Sequence, residues 1–157
     1  MARKIDLKTA PVSAGTDYPP PFDEPCLNRS KIRLGRAAGL TQFGVNLCRL
    51  PPGSWSAQRH WHTQEDELIY VLAGEVVLVT DDGEEVLYAG DCASFRAGDP
   101  NGHHFQNRSA AEVVLLEVGS RAPASEHVHY PDIDLRKVPS GFQRVDGSPY
   151  PAGAQRS

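Results

Sequence analysis

Between Leu40 and Leu50 the apolar residues Phe43, Val45 and Leu47 fall on alternate positions, the period-two pattern of a strand with one buried face. Further β-rich runs occupy Glu67–Ala73, Glu75–Thr80, Glu84–Tyr88, Cys92–Phe95, His103–Asn107 and Glu112–Val118. A short strand is expected at Lys31–Leu34, with Gly35–Gly39 as the turn after it. Most runs end in turn chemistry: Gly74, Asp81-Asp82-Gly83 and Ala89-Gly90-Asp91. About eight strands so punctuated predict an all-β sandwich or barrel. No segment carries a helical period, and no repeat is visible. Leu68 to Leu72 is apolar on both faces, which predicts a sheet covered by another sheet or a partner subunit. Tyr70 and Trp61 are placed outward, as packing residues.

The ends read differently. Residues 1–29 contain Pro11, Pro19, Pro20, Pro21 and Pro25 and read as an extended arm. Residues 30–120 form the barrel, with its core at 40–120. Residues 121–157 form a second arm, whose Tyr130–Leu135 segment packs on the barrel or on a partner subunit. Its last part, Asp146–Ser157, reads as a loosely held tail. The expected assembly is a homodimer.

Composition narrows the function classes. The 157 residues are 39% apolar and 23% charged, ordinary values for a globular domain. A net charge of −4 with no basic run gives no footprint for nucleic acid or an anionic membrane. No apolar stretch approaches the ~20 residues of a membrane helix, and the N-terminus lacks the apolar segment of a secretion signal. Cys26, Cys48 and Cys92 are odd in number and make no Cys-x-x-Cys pair, which points to a reducing cytoplasm. Cys48 and Cys92 are expected to be buried, inert thiols. The acidic group Asp81, Asp82, Glu84 and Glu85 lacks calcium-loop spacing and reads as a solvated hairpin tip.

Chemistry concentrates in Gly53–Gly74. On a strand His60 and His62 present two imidazoles on one face, and Glu67 can add an oxygen. Such a donor set suits a first-row divalent metal. Gln58, Arg59, Gln42, Asn46 and Arg49 lie near the expected pocket and could orient a carboxylate or hydroxyl. His127 and His129 form a second His-x-His without a neighbouring carboxylate or third histidine, and read as exposed or interface residues. No nucleophile elbow, phosphate loop, dinucleotide fingerprint or helix-turn-helix is present.

The order of these residues resembles the cupin superfamily. Its first motif is matched by His60, His62, Glu67 and Gly74, with Gly53 one residue upstream of its usual place. Its second motif is matched by Gly90, Gly98, His103 and Asn107. Arg96 stands where proline is usual, and the loop Gly98–Gly102 is longer than the family pattern. The resemblance implies a single RmlC-like jelly roll, a double-stranded β-helix with arms at both ends. It implies one divalent transition metal per chain (Zn, Fe, Mn or Ni) held by His60, His62, Glu67 and His103. Strand parity puts His103 on the face of Phe105 and Asn107, leaving His104 on the other as the alternative ligand. Gln58, Arg49, Asn46 and Phe105 are the expected substrate contacts.

The expected function is a small metalloenzyme acting on an oxygenated acid or sugar-like substrate, by dioxygenase, decarboxylase, isomerase or lyase chemistry. The alternatives are a non-catalytic module that binds or senses a small molecule, and a metal-independent sugar isomerase or epimerase. The last needs a histidine–tyrosine pair that the sequence does not place.

Overall fold

The computed structural model describes residues 2–151. Thirteen short strands run β1 Val12–Ala14, β2 Ser30–Ile32, β3 Phe43–Leu50, β4 Trp61–His62, β5 Glu67–Ala73, β6 Glu75–Thr80 and β7 Gly83–Tyr88. They continue as β8 Cys92–Phe95, β9 His104–Gln106, β10 Val113–Ser120, β11 Val128–Tyr130, β12 Leu135–Val138 and β13 Gly141–Gln143. They build a six-stranded sheet in the order β1-β2-β3-β10-β5-β8, a three-stranded sheet β7-β6-β9 and a four-stranded sheet β13-β12-β11-β4. Every pairing between them is antiparallel. The architecture is a jelly-roll β-sandwich: all-β as the alternation predicts, and of the jelly-roll kind that the family resemblance implies.

Alternation decides which faces close. On β5, Glu67, Ile69 and Val71 turn inward, and on β10 Val113, Leu115 and Glu117 do the same. Val71, Val113, Leu115, Cys48 and Leu50 are fully buried and meet Leu78, Leu87 and Phe105 from the smaller sheet. Each large aliphatic side chain so buried contributes about 1.5–3 kcal/mol. Gly74 turns β5 into β6 with φ +84°, and a Cβ there would lie 2.9 Å from the Glu112 carbonyl. Only glycine satisfies both the angle and the approach.

The chain ends are more structured than expected. Val12–Ala14 pairs with β2 and extends the large sheet. Tyr18 and Cys26 enter a second core with Val128, Tyr130 and Leu135 from the C-terminal strands. The C-terminal segment packs on its own chain, because β11 pairs with β4 at Val128↔His62 and His129↔Trp61. Tyr150 lies edge-on to Phe22 at 6.1 Å, so the described part of the Asp146–Ser157 segment is held. The remainder, 152–157, lies outside the described residues.

Two local expectations are corrected. Leu34–Ala38 is a one-turn helix rather than strand and turn, closed by Gly39 at φ +72°. Its five residues are too few to show a helical period. Cys92 is exposed, because its partner Tyr70 stands on the outer face of the large sheet. Cys48 is buried as expected, and burial pushes its thiol up to about 12.

Candidate metal centre

His60, His62, Glu67 and His103 come together from three places in the chain: β4 and the residue before it, the start of β5, and the residue before β9. His60 and His103 face each other across a backbone bridge, His60 N–H to the His103 carbonyl at 3.1 Å and the reverse at 2.8 Å. Paired residues share a face. His62 lies two positions on, its ring 4.9 Å from that of His60. Glu67 enters from the first position of β5, opposite Gly119 on β10. A Cβ on Gly119 would sit 3.7 Å from the Glu67 Cγ, so a larger residue there would crowd the carboxylate.

Three imidazoles converge on one carboxylate oxygen. Glu67 Oε2 lies 2.7 Å from His103 Nε2, 3.1 Å from His62 Nε2 and 3.6 Å from His60 Nε2. Donor atoms around 2.0–2.1 Å from one zinc-like ion would themselves be roughly 3–3.4 Å apart. The ligand atoms of His60, His62 and Glu67 are all within 4.8 Å of one another, and His103 joins them through its bond to Glu67.

Tautomers point the same way. His60 Nδ1 donates to the Gln58 carbonyl at 2.7 Å, so in the neutral ring the Nε2 lone pair faces the carboxylate. Two lone-pair groups facing each other fit a cation shared between them. Both ring nitrogens of His62 and the Nδ1 of His103 are buried without a hydrogen-bond partner. This donor set fits the metal that the residue pattern implies.

The electrostatics follow from that crowding. Burial would raise the Glu67 carboxyl, but the imidazoles of His103, His60 and His62 outweigh it and hold it well below its ordinary value. Burial leads the fall of His103 to about 4. For His62 burial acts downward, and the carboxylates of Glu67, Glu126 and Glu65 carry it above its ordinary value. Glu67 is therefore an anion, and His103 is neutral at neutral pH. Phe95 stacks on His103 with centroids 3.5 Å apart and 3° between planes, fixing that ring.

His104 faces the other way, as parity predicts. Its Nδ1 donates to the Ala57 carbonyl at 2.9 Å, and its ring is edge-on to Trp55. The lengthened loop before His103 is tied down. Gly98 N–H donates to the His62 carbonyl at 2.8 Å, and the Asn101 side chain bonds Asp81 N–H and the Asp82 carboxylate.

The expected substrate contacts divide. Phe105 lines a cavity of about 320 Å³ that also contains the four candidate ligands. Asn46 lines an adjoining cavity that shares His62 and Glu67. Arg49 does not face inward. It pairs with Glu112 at 2.8 Å on the outer face, the arginine side chain 42% exposed, because it is odd-numbered from Asn46 on the same strand. The Gln58 side chain is committed to the Phe22 carbonyl at 2.8 Å, and its role at the centre is through its own carbonyl. Arg59 clasps Asp132 with two bonds of 2.7 and 2.8 Å and also reaches Asp81. Gln42 is exposed.

The same cavity is lined by residues with no motif around them: Tyr18, Arg29, Arg33, Glu117, Tyr130 and Lys137. The register of the C-terminal strands brings Lys137 in, since His62, Val128, Lys137 and Phe142 form one cross-strand row. Nothing local in the sequence signals that row. Of the second His-x-His, His129 stacks on Trp61 at 4.4 Å, and both it and His127 are half-buried.

Residues 46–119 match the Cupin domain. A sugar phosphate isomerase of the cupin superfamily from Silicibacter pomeroyi is 47% identical, with 96% of this chain and 98% of that one covered at a TM-score of 0.88. A candidate sugar phosphate isomerase from Acidithiobacillus ferrooxidans is 29% identical over 76% of each chain, TM-score 0.70. A predicted oxalate decarboxylase from Thermotoga maritima shares the fold at 20% identity, TM-score 0.60, over 76% of this chain and all of that one. No curated protein matches. This chain belongs to the cupin superfamily.

Proposed function

We propose that this protein is a metal-dependent cupin enzyme acting on a small sugar-like substrate, with a sugar phosphate as the favoured class. The carrying observation is the convergence of three imidazoles on the Glu67 carboxylate at the wall of an open cavity. The 47% identity to a sugar phosphate isomerase supports the substrate class, since fold alone does not choose a reaction.

His60, His62, Glu67 and His103 would hold a divalent ion, Zn, Fe, Mn or Ni. When bound, it supplies Lewis-acid polarisation of a substrate carbonyl or hydroxyl. The protein's own part is positional: the Gln58 carbonyl sets the His60 tautomer and Phe95 braces His103. Elemental analysis of the purified protein tests this reading. Near one metal per chain is expected in the wild type and a large loss in His60→Ala and His103→Ala; equally little metal in all three under metal-replete conditions would overturn it. A panel of aldose and ketose phosphates then separates turnover from binding alone.

A second reading has its own observation. Tyr130 lies 5.9 Å from His60, ring to ring, with Tyr18 edge-on behind it at 5.6 Å. This is a histidine–tyrosine pair inside the cavity. Burial leads the rise of the Tyr130 phenol well above its ordinary value, making it a proton donor in a metal-independent isomerase. Isomerisation that survives chelation and is lost in Tyr130→Phe would favour this reading.

We also propose that the assembly is a homodimer through the outer face of the large sheet.

A further inference from the structure

The cavity carries a charge pattern that the metal ligands do not use. Arg29, Lys31, Arg33 and Lys137 line it. Lys31 is neutralised, its Nζ 2.8 Å from the Glu117 carboxylate with both side chains largely buried. The other three have no carboxylate partner among the described residues. Arg29 donates to the Gly15 and Ser56 carbonyls, bonds that orient the guanidinium without cancelling its charge. Arg33 donates from its Nε to the Ser13 hydroxyl at 2.9 Å, and its terminal nitrogens make no hydrogen bond among the described residues. Lys137 Nζ rests 5.1 Å above the Phe142 ring. Besides Glu67 and Glu117, the one carboxylate on this cavity is Asp17, which is exposed and bonded to none of the three.

Three uncompensated cations on the wall of a concave site attract an anion, and guanidinium forks with an ammonium are the groups that hold a phosphoryl oxygen triad. Register fixes their place. Lys137 stands two strands from His62 in one row, while Arg29 and Arg33 bracket β2 and line the same cavity.

We propose that Arg29, Arg33 and Lys137 form a phosphate-binding subsite. It anchors the phosphoryl end of the substrate while the carbonyl or hydroxyl end reaches His60, His62, Glu67 and His103. The substrate class rests on the function proposed above; the anion subsite rests on the charge pattern. All three residues lie outside 46–119, the part matching the Cupin domain. The terminal segments would thus supply substrate selectivity to a common metal-holding barrel. A cavity of about 320 Å³ sits at the small end of ligand sites, roughly 300–1,000 Å³, suiting a short phosphorylated sugar.

The test is titration of the full-length protein with inorganic phosphate, followed by calorimetry. Wild type, Arg33→Gln, Lys137→Gln, the double variant, Lys137→Arg and His60→Ala are compared. Saturable binding is expected in the wild type, weakened about tenfold in each single glutamine variant, as for loss of one charged hydrogen bond. It should be abolished in the double variant and retained in Lys137→Arg. Unchanged melting temperature and metal content in the glutamine variants would show that fold and metal centre are intact. Lys137 is exposed, so its variant tests the subsite even if Arg33→Gln folds poorly. His60→Ala should lose metal and keep phosphate. Absent binding in the wild type, undiminished binding in the double variant, or binding lost only with His60→Ala would each overturn the subsite. A protein without metal whose phosphate binding still depends on Lys137 would keep the subsite and discard the metal reading.

Discussion

Among single residues, the two histidines in succession show how one position of parity separates roles. His103 meets Glu67, while His104 is buried against Ala57 and Trp55 as a structural residue. Burial leads the lowering of the His104 imidazole, only partly offset by its bond to the Ala57 carbonyl. A histidine held neutral when folded but free to protonate when unfolded stabilises the fold above its ordinary value of 6.5. That contribution is lost as pH falls through the lowered folded value. Melting temperature of chelator-treated protein should therefore drop from about pH 7.5 to about pH 5, and less steeply in His104→Gln. An unchanged slope would contradict this role. Asn107 is the other structural member of the second motif. Its amide donates to the Leu50 and Ala111 carbonyls, and its oxygen accepts from Ser109. Asn107→Ala strands those buried groups, at a cost of at least about 2 kcal/mol. Thermal denaturation should show a fall of roughly 4–8 °C, with metal content retained.

At the scale of elements, β4 is only two residues long yet carries His62, so its position depends on what flanks it. Glu126, buried before β11, accepts the Thr63 and Gln64 N–H groups at 2.9 and 3.0 Å. It also faces His62 Nδ1 at 3.5 Å without a hydrogen bond, so its charge favours the proton on Nδ1 and leaves Nε2 for a metal. Glu126→Gln removes the charge and one of the two acceptors and should weaken metal binding about 10–100-fold, measured by competition with a chromogenic chelator alongside the melting temperature; unchanged affinity would refute the role. The strands of the barrel were legible in the sequence, because period two is a local signal, and the gathering of His60, His62, Glu67 and His103 was implied by the resemblance to the two cupin motifs. Arg49 was misplaced because Asn46 and Arg49, three apart on one strand, cannot both face inward. The contribution of Glu126, Tyr130 and Lys137 was not legible. Tyr130 and Lys137 sit on three-to-four-residue strands, and Glu126 just before the first of them; the register there is fixed by pairing across more than sixty residues of chain, as at Val128↔His62, and not by local pattern.

For the whole molecule, the question is what covers the outer face of the large sheet. Register aligns Val12, Ile32, Leu47, Leu116, Tyr70 and Cys92 in one row across all six strands. Beside it, Val45, Val118 and Leu68 form a second apolar row. Leu68, Tyr70 and Leu72 remain 40%, 38% and 45% exposed, so no element among the described residues covers them. The both-face apolarity of Leu68–Leu72 thus has one face satisfied by the core and the other left for a partner. A contiguous apolar patch of this kind marks an association surface, and a sheet face on a two-fold axis is self-complementary. Because Glu67 points inward from β5 while Leu68, Tyr70 and Leu72 point outward, the proposed interface and the candidate metal centre lie on opposite faces of that strand. Tyr70→Glu would bury a charge in the interface without touching Glu67 or the inward core. Sedimentation should show dimeric wild type and a monomeric variant, with metal content unchanged and melting temperature lowered by the lost association. A variant that stays dimeric would move the interface to another face, and a monomeric wild type would leave this surface without a second copy to cover it.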